Sequence, residues 1–236
     1  MKIKLQLTGL IIIFLVSSYL IYNYVGTKDD NKNIIETTTE DERKFEKEYE
    51  SLNEKYNEET KKKTMTIDIM EDNNIKYATV NEIIELLENG TGVIYFGFPE
   101  CPWCRNAVPV LIKTALEYDM DPIYYYNAYS IRDTKHLENG TIVTDKEGTE
   151  EYNKILELLG NKASIYEGLE NEEIKRLYFP TVVFVKNGEI VDIVVGTVDS
   201  QDDPFISLTK EQTDELEKKY TDGINKVYDI LCDENC

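Results

Sequence analysis

Residues 92–118 run GVIYFGFPECPWCRNAVPVLIKTALEY. Gly92 to Phe98 is almost wholly apolar and only seven residues long, the pattern of a short strand covered on both faces. Pro102 suits a first helical position, where its missing N–H is not needed, so a helix is expected from just after Cys101 to about Tyr118. Two thiols separated by two residues at a helix N-terminus can close a small disulfide ring. The helix end adds partial positive charge and free N–H groups that favour a thiolate. Cys101, at or before the first turn, is therefore the expected nucleophile, and Cys104, one turn in, is placed to attack a mixed disulfide. Half of a zinc site is one alternative, but structural zinc needs four ligands, the only other cysteines are Cys232 and Cys236, and the sole histidine is His136; no metal is expected. A purely structural disulfide is the other alternative, and the strand-to-helix corner argues against it.

Outward from this stretch, strand and helix signals alternate. Ile75 to Thr79 alternates like a strand, and Asn81 is placed to cap a helix that ends at Gly90. After the cysteine helix come a strand over Pro122–Ala128, a polar stretch with a turn at Asn139-Gly140, and a helix over Thr149–Leu159. Phe179-Pro180 opens TVVFV, and the turn Lys186-Asn187-Gly188 joins it to EIVDIVV, which signals a hairpin. Thr209 with Gln212 makes a capping box for a last helix running to about Leu231, with Leu216, Tyr220, Ile224 and Val227 on its apolar face. Strands alternating with helices and closing on a hairpin predict an α/β domain with a mixed sheet flanked by helices.

These residues resemble the thioredoxin family. Val93 to Tyr118 is similar to the family's central strand, active-site turn and following helix, with Pro109 five residues after the second Cys where thioredoxins place a kinking proline. Phe179-Pro180-Thr181-Val182 is similar to the family's cis-proline segment, followed by the N-G hairpin and Gly196. The resemblance covers about Ile75 to Leu231. It implies a thioredoxin fold, a cis Pro180 lying against the dithiol, and a Phe179 backbone that pairs with an extended substrate chain, with Trp103 beside it. Tyr95 stands where thioredoxins commonly carry a buried acid that helps move the resolving thiol's proton. The segment of some 50 residues between Asn127 and Pro180 is expected to be an insertion, at about 129–178, with its own helix. Family architecture puts it near the ligand face, so that Tyr124 to Tyr126, His136 and Tyr178 shape a partner surface; on its own residues, His136 is an exposed loop histidine.

The chain of 236 residues carries 26 Lys plus Arg against 46 Asp plus Glu, a formal charge of -20, which disfavours nucleic acid as a partner. Residues 1–28 hold three lysines and no acid, so the rest carries a net of -23. No charge interrupts Leu5 to Thr27, and residues 7–25 are long enough to cross a bilayer. Lys2 and Lys4 before the run put the N-terminus inside and the remainder outside. A cleavable signal peptide is the competing reading, but the first alanine is Ala78 and no small-residue cleavage pattern follows the run. Residues 29–64 are dense in both charges and contain no Gly, Pro or Cys. The stripe Phe45, Tyr49, Leu52, Tyr56 suggests a partly helical, solvated stalk. At the other end, Cys232 and Cys236 are expected to form a tail disulfide or to remain two free thiols, away from the active site.

The expected function is that of a membrane-anchored, extracytoplasmic thiol-disulfide oxidoreductase of a Gram-positive-type envelope. It needs no cofactor, acts on cysteine-containing extracytoplasmic proteins and possesses scope for a membrane redox partner. Around Cys101, the helix end opened by Pro102 and the charge of Arg105 are expected to stabilise the thiolate, and Glu100 to oppose it. Anchor plus fold also give a weaker resemblance to thioredoxin-like accessory proteins of bacteriocin export. The alternative function is an anchored binding module that holds an exported client through Phe179-Pro180 without turnover. Reductase, oxidase and isomerase share these residues and differ in potential.

Overall fold

A computed structural model describes residues 38–58, 61–120 and 122–228. The apolar run at 7–25, Cys232 and Cys236 lie outside the described residues. Among the described residues, no helix is long and apolar enough to cross a membrane.

The order begins with helix α1 (Glu40–Glu50), the short ladder β1 (Tyr56–Asn57) and β2 (Lys62–Lys63), strand β3 (Ile75–Tyr77), helix α2 (Val80–Asn89) and strand β4 (Gly92–Phe96). Helix α3 (Pro102–Glu117), strand β5 (Ile123–Tyr126), strands β6 (Thr134–Glu138) and β7 (Thr141–Lys146), and helix α4 (Glu150–Leu159) follow. The chain continues through β8 (Ser164–Ile165), β9 (Lys175–Arg176), β10 (Thr181–Lys186), β11 (Glu189–Val195) and helix α5 (Lys210–Tyr228). The central sheet has five strands in the order β11-β10-β4-β5-β3. β3, β5 and β4 are parallel, whereas β10 runs antiparallel to both β4 and β11. This is a mixed α/β sheet flanked by helices, as the alternation of signals predicts.

Every residue of β4 is buried, because helices cover both sides of the sheet. Val93 and Tyr95 point into a cluster with α3, α5 and Phe45 and Tyr49 of α1, while Ile94 and Phe96 point into a second cluster with Ile83 and Leu87 of α2 and Tyr152, Ile155 and Leu159 of α4. A fully buried side chain of this size contributes about 1.5–3 kcal/mol. Helix α5 reaches β10 through Gly223, where an added methyl would meet the Phe184 ring at 2.5 Å.

Two expectations change. The folded region, expected to begin at residue 65 after a stalk over 29–64, already includes α1: Phe45 and Tyr49 are fully buried, so this helix covers the sheet as part of the domain. Of the stripe, Phe45 and Tyr49 face protein while Tyr56 lies on β1 and is exposed, and the Thr39–Glu42 capping box fixes the start of α1. Thr79, not Asn81, caps α2, because its hydroxyl accepts the Glu82 N–H while the Glu82 carboxylate accepts the Thr79 N–H. The helix expected between 129 and 178 is present as α4, which packs on α2 and covers the second face of the sheet. Between β5 and α4 the chain forms the hairpin β6–β7, turned by Asn139 and Gly140 at φ 50° and 77°.

Candidate functional site

The site forms where β4 ends and α3 begins. Cys101 is the N-cap of α3, with extended φ -70° and ψ 117°, and its own N–H donates to the Phe98 carbonyl at 3.2 Å. Its Sγ accepts the Cys104 N–H at 3.2 Å, taking the place a Ser or Asp oxygen fills at an ordinary helix start. Across the cleft, the Phe179-Pro180 peptide bond is cis, and the Cys101 thiol donates to the Phe179 carbonyl at 3.6 Å. The two separated motifs of the sequence thus meet at one sulfur. Both thiols are free; Cys101 is 6% exposed and Cys104 is fully buried.

Their proton affinities diverge. Burial pushes the Cys101 thiol up, but the hydrogen bond with the Cys104 thiol, the N–H groups of Cys104 and Trp103, and the Arg132 charge outweigh it, leaving Cys101 below an ordinary thiol. Cys104 is held well above the ordinary value by burial first, then by its hydrogen bond to Cys101 and that neighbour's charge. Phe98 backbone and the Tyr95 hydroxyl act the other way on Cys104. One helical turn therefore separates a thiol that ionises easily from one that resists.

Beneath Cys104 lies a buried floor of aromatic rings. Tyr95 and Tyr49 are fully buried and share a hydrogen bond of 2.8 Å between their hydroxyls. Tyr95 stacks on Tyr125 at 5.5 Å, and Phe45 packs on Tyr49 at 4.4 Å. Gly97 keeps room for this arrangement, since an added Cβ would stand 2.2 Å from the Tyr95 hydroxyl.

Arg105 does not have the role expected of it. Its guanidinium turns into this floor, 1% exposed, donating to the carbonyls of Met65, Tyr49 and Pro99 and to Asn53 Oδ1. It fastens α1 and the following loop to α3. The cation that acts on Cys101 is Arg132, from the loop after β5, which lies over the Phe179 ring at 4.8 Å and donates to the Leu177 carbonyl at 3.3 Å. Nothing local in the sequence marks Arg132; the signal available is scarcity, since the chain has only four arginines.

The remaining candidates sort by position. Phe179 and Pro180 are buried at the site, Pro102 and Trp103 are half-buried in the first turn of α3, and Glu100 is exposed. Phe98 bridges Phe179 (5.4 Å, edge to face) and exposed Tyr129 (4.8 Å), an aromatic rim that the sequence reading missed. Tyr125 belongs to the core, whereas Tyr124, Tyr126 and Tyr178 are half-buried. His136 is exposed on β6, a strand position and not a loop, and pairs with Asp145 at 2.7 Å.

Fold and site together define an α/β protein bearing two free thiols, one helical turn apart, at a helix N-terminus that faces a cis X-Pro peptide. No family model matches the chain, and no curated protein matches it.

Proposed function

We propose that the protein is a thiol-disulfide oxidoreductase of thioredoxin fold, acting on cysteine pairs of extracytoplasmic proteins and held at the membrane by residues 7–25. The observation that carries this reading is the seating of Cys101 Sγ between the Cys104 N–H, at 3.2 Å, and the Phe179 carbonyl, at 3.6 Å. A helix end stabilises the thiolate on one side. On the other stands the Phe179 carbonyl beside the cis peptide, the place where an extended client would pair once it displaces the Cys101 thiol. The anchor and its orientation rest on the uncharged run and the lysines before it.

In the reducing direction, the Cys101 thiolate attacks one sulfur of a client disulfide. The client S–S bond breaks, and its second sulfur leaves as a thiolate that takes up a proton. Cys104 then loses its proton and attacks Cys101 Sγ, expelling the first client sulfur, so the enzyme ends as the Cys101–Cys104 disulfide and the client as a dithiol. The reverse sequence oxidises a client. The raised proton affinity of Cys104 keeps it from competing for the first attack.

The test is a trap. With Cys104→Ser, Cys101-dependent mixed disulfides with envelope proteins should accumulate and disappear on adding Cys101→Ser. If no client is captured and the purified wild type reduces no disulfide, the chain is a binding module and the proposal fails.

A further inference from the structure

Two of the four arginines stand beside the site in a chain of charge -20, and neither has a carboxylate partner among the described residues. The guanidinium of Arg132 lies over Phe179 at 4.8 Å and Tyr129 at 5.4 Å; that of Arg176 lies over Tyr166 at 4.2 Å and Tyr178 at 5.6 Å. Arg176 ends β9, three residues before Phe179, and its Nε is buried without an acceptor. Asp133, the acid next to Arg132 in sequence, is engaged by Lys135 at 3.0 Å. Burial lowers the proton affinity of Arg132, and repulsion from the Arg176 guanidinium lowers it further. Aromatic faces offset part of that cost. An arginine normally finds a carboxylate where acids outnumber bases, so two left without one mark a surface complementary to an anion.

We propose that Arg132 and Arg176 receive an acidic side chain flanking the reacting cysteine of the client, so that the site prefers acid-flanked cysteines despite the protein's own negative charge. This rests on the oxidoreductase reading and adds the client's chemistry to it. Arg132 contacts Phe179, whose carbonyl faces Cys101, so a client strand laid along Phe179 with its sulfur at Cys101 brings neighbouring side chains to the guanidinium groups. The aromatic rim of Phe98 and Tyr129 borders the same strip.

Net charge alone predicts the opposite preference, which makes the sign decisive. The reduced full chain, in detergent, is mixed with peptides bearing one cysteine blocked as a 2-pyridyl disulfide and flanked by Glu, Gln or Lys. Cys101 attacks the peptide sulfur, the S–S bond to the pyridyl group breaks, and the released pyridine-2-thiolate is protonated to the absorbing thione. Cys104 then displaces the peptide thiol. The Glu peptide should react faster than the Lys peptide by about fivefold or more at low salt, a ratio that shrinks as salt is added. In Arg132→Gln/Arg176→Gln the ratio should fall to one or reverse, whatever the common loss of Cys101 reactivity. Equal rates or a faster Lys peptide in the wild type overturn the proposal, as does a Glu preference that survives in the double variant. If no peptide releases thione, the oxidoreductase reading itself fails and takes this one with it.

Discussion

Cys104 and Cys101 are three residues apart in sequence and belong to different regions of the molecule. Cys104 faces a buried floor, built from Tyr95 on β4, Tyr49 on α1 and the inward-turned Arg105. Cys101 faces a rim of helix-end N–H groups, the Phe179 carbonyl and Arg132. Burial penalises both thiolates, and what differs is the set of groups that compensates it. At the rim the Cys104 thiol, two backbone N–H groups and the Arg132 charge outweigh the penalty; at the floor the Phe98 backbone and one tyrosine hydroxyl do not. The division of labour between attacking and resolving thiol thus begins inside the motif, through the Cys104 thiol and the N–H groups of Cys104 and Trp103, and the surroundings add Arg132 at the rim and deeper burial at the floor.

The two arginines offer the strongest way to break this comparison. Arg105→Ala removes the donors that satisfy three carbonyls and Asn53 Oδ1 in the floor, and should cost about 3–5 kcal/mol of stability, read as a lowered denaturation midpoint. Arg132→Gln should leave stability within about 0.5 kcal/mol. It should instead raise the Cys101 pKa, slowing alkylation by neutral iodoacetamide at pH 6 by on the order of two- to fivefold. Similar stability losses in both variants, or a slowed alkylation in neither, would erase the distinction between floor and rim.

A smaller effect tests the floor from within. Tyr95→Phe keeps the ring packed on Tyr125 and removes only the hydroxyl shared with Tyr49 and Cys104. The cost to stability should be about 1 kcal/mol. Because that hydroxyl lowers the proton affinity of Cys104, its loss should raise it further and slow release of a mixed disulfide by a few-fold at neutral pH, with the first attack unchanged. Tyr95 holds its own proton well beyond the physiological range, through burial first, so it acts as a hydrogen-bond donor and not as a base. A slowed first attack with normal release would contradict this assignment.

What the sequence revealed of these two regions follows from how local their signals are. The apolar strand, the Cys-Pro-Trp-Cys turn and the hairpin at Asn187-Gly188, whose residues adopt φ 51° and 75°, are each specified within a few neighbouring residues. Phe45 and Tyr49 also show in the sequence as a helical stripe, but a stripe does not say what covers it. The partner is 46 residues away at Tyr95, among acids and lysines that suggest solvent. Arg105 and Arg132 were separable only by structure. The nearer one in sequence turns inward to unsatisfied carbonyls, and the farther one is delivered to the thiol by the turn after β5. The hairpin β6–β7 was missed because its strands are largely exposed and polar, with no apolar face to mark them.

The weakest expected effect belongs to Glu100, which precedes Cys101 and was read as the local opponent of its thiolate. It is exposed, so water screens its charge, and its field is felt at Arg105 and Tyr125. The groups that act most on Cys101 are burial, the Cys104 thiol, two N–H groups and Arg132. Glu100→Gln removes a negative charge, which favours the thiolate, so the Cys101 pKa should fall. The fall should stay under about 0.3 of a pK unit, since an exposed pair is worth a fraction of a kcal/mol and one unit corresponds to about 1.4. Alkylation rate against pH for this variant beside Arg132→Gln measures both on one scale. A rise in pKa would contradict the sign, and a fall as large as the Arg132→Gln rise would mean that adjacency in sequence, not delivery by the fold, sets the charge that Cys101 feels.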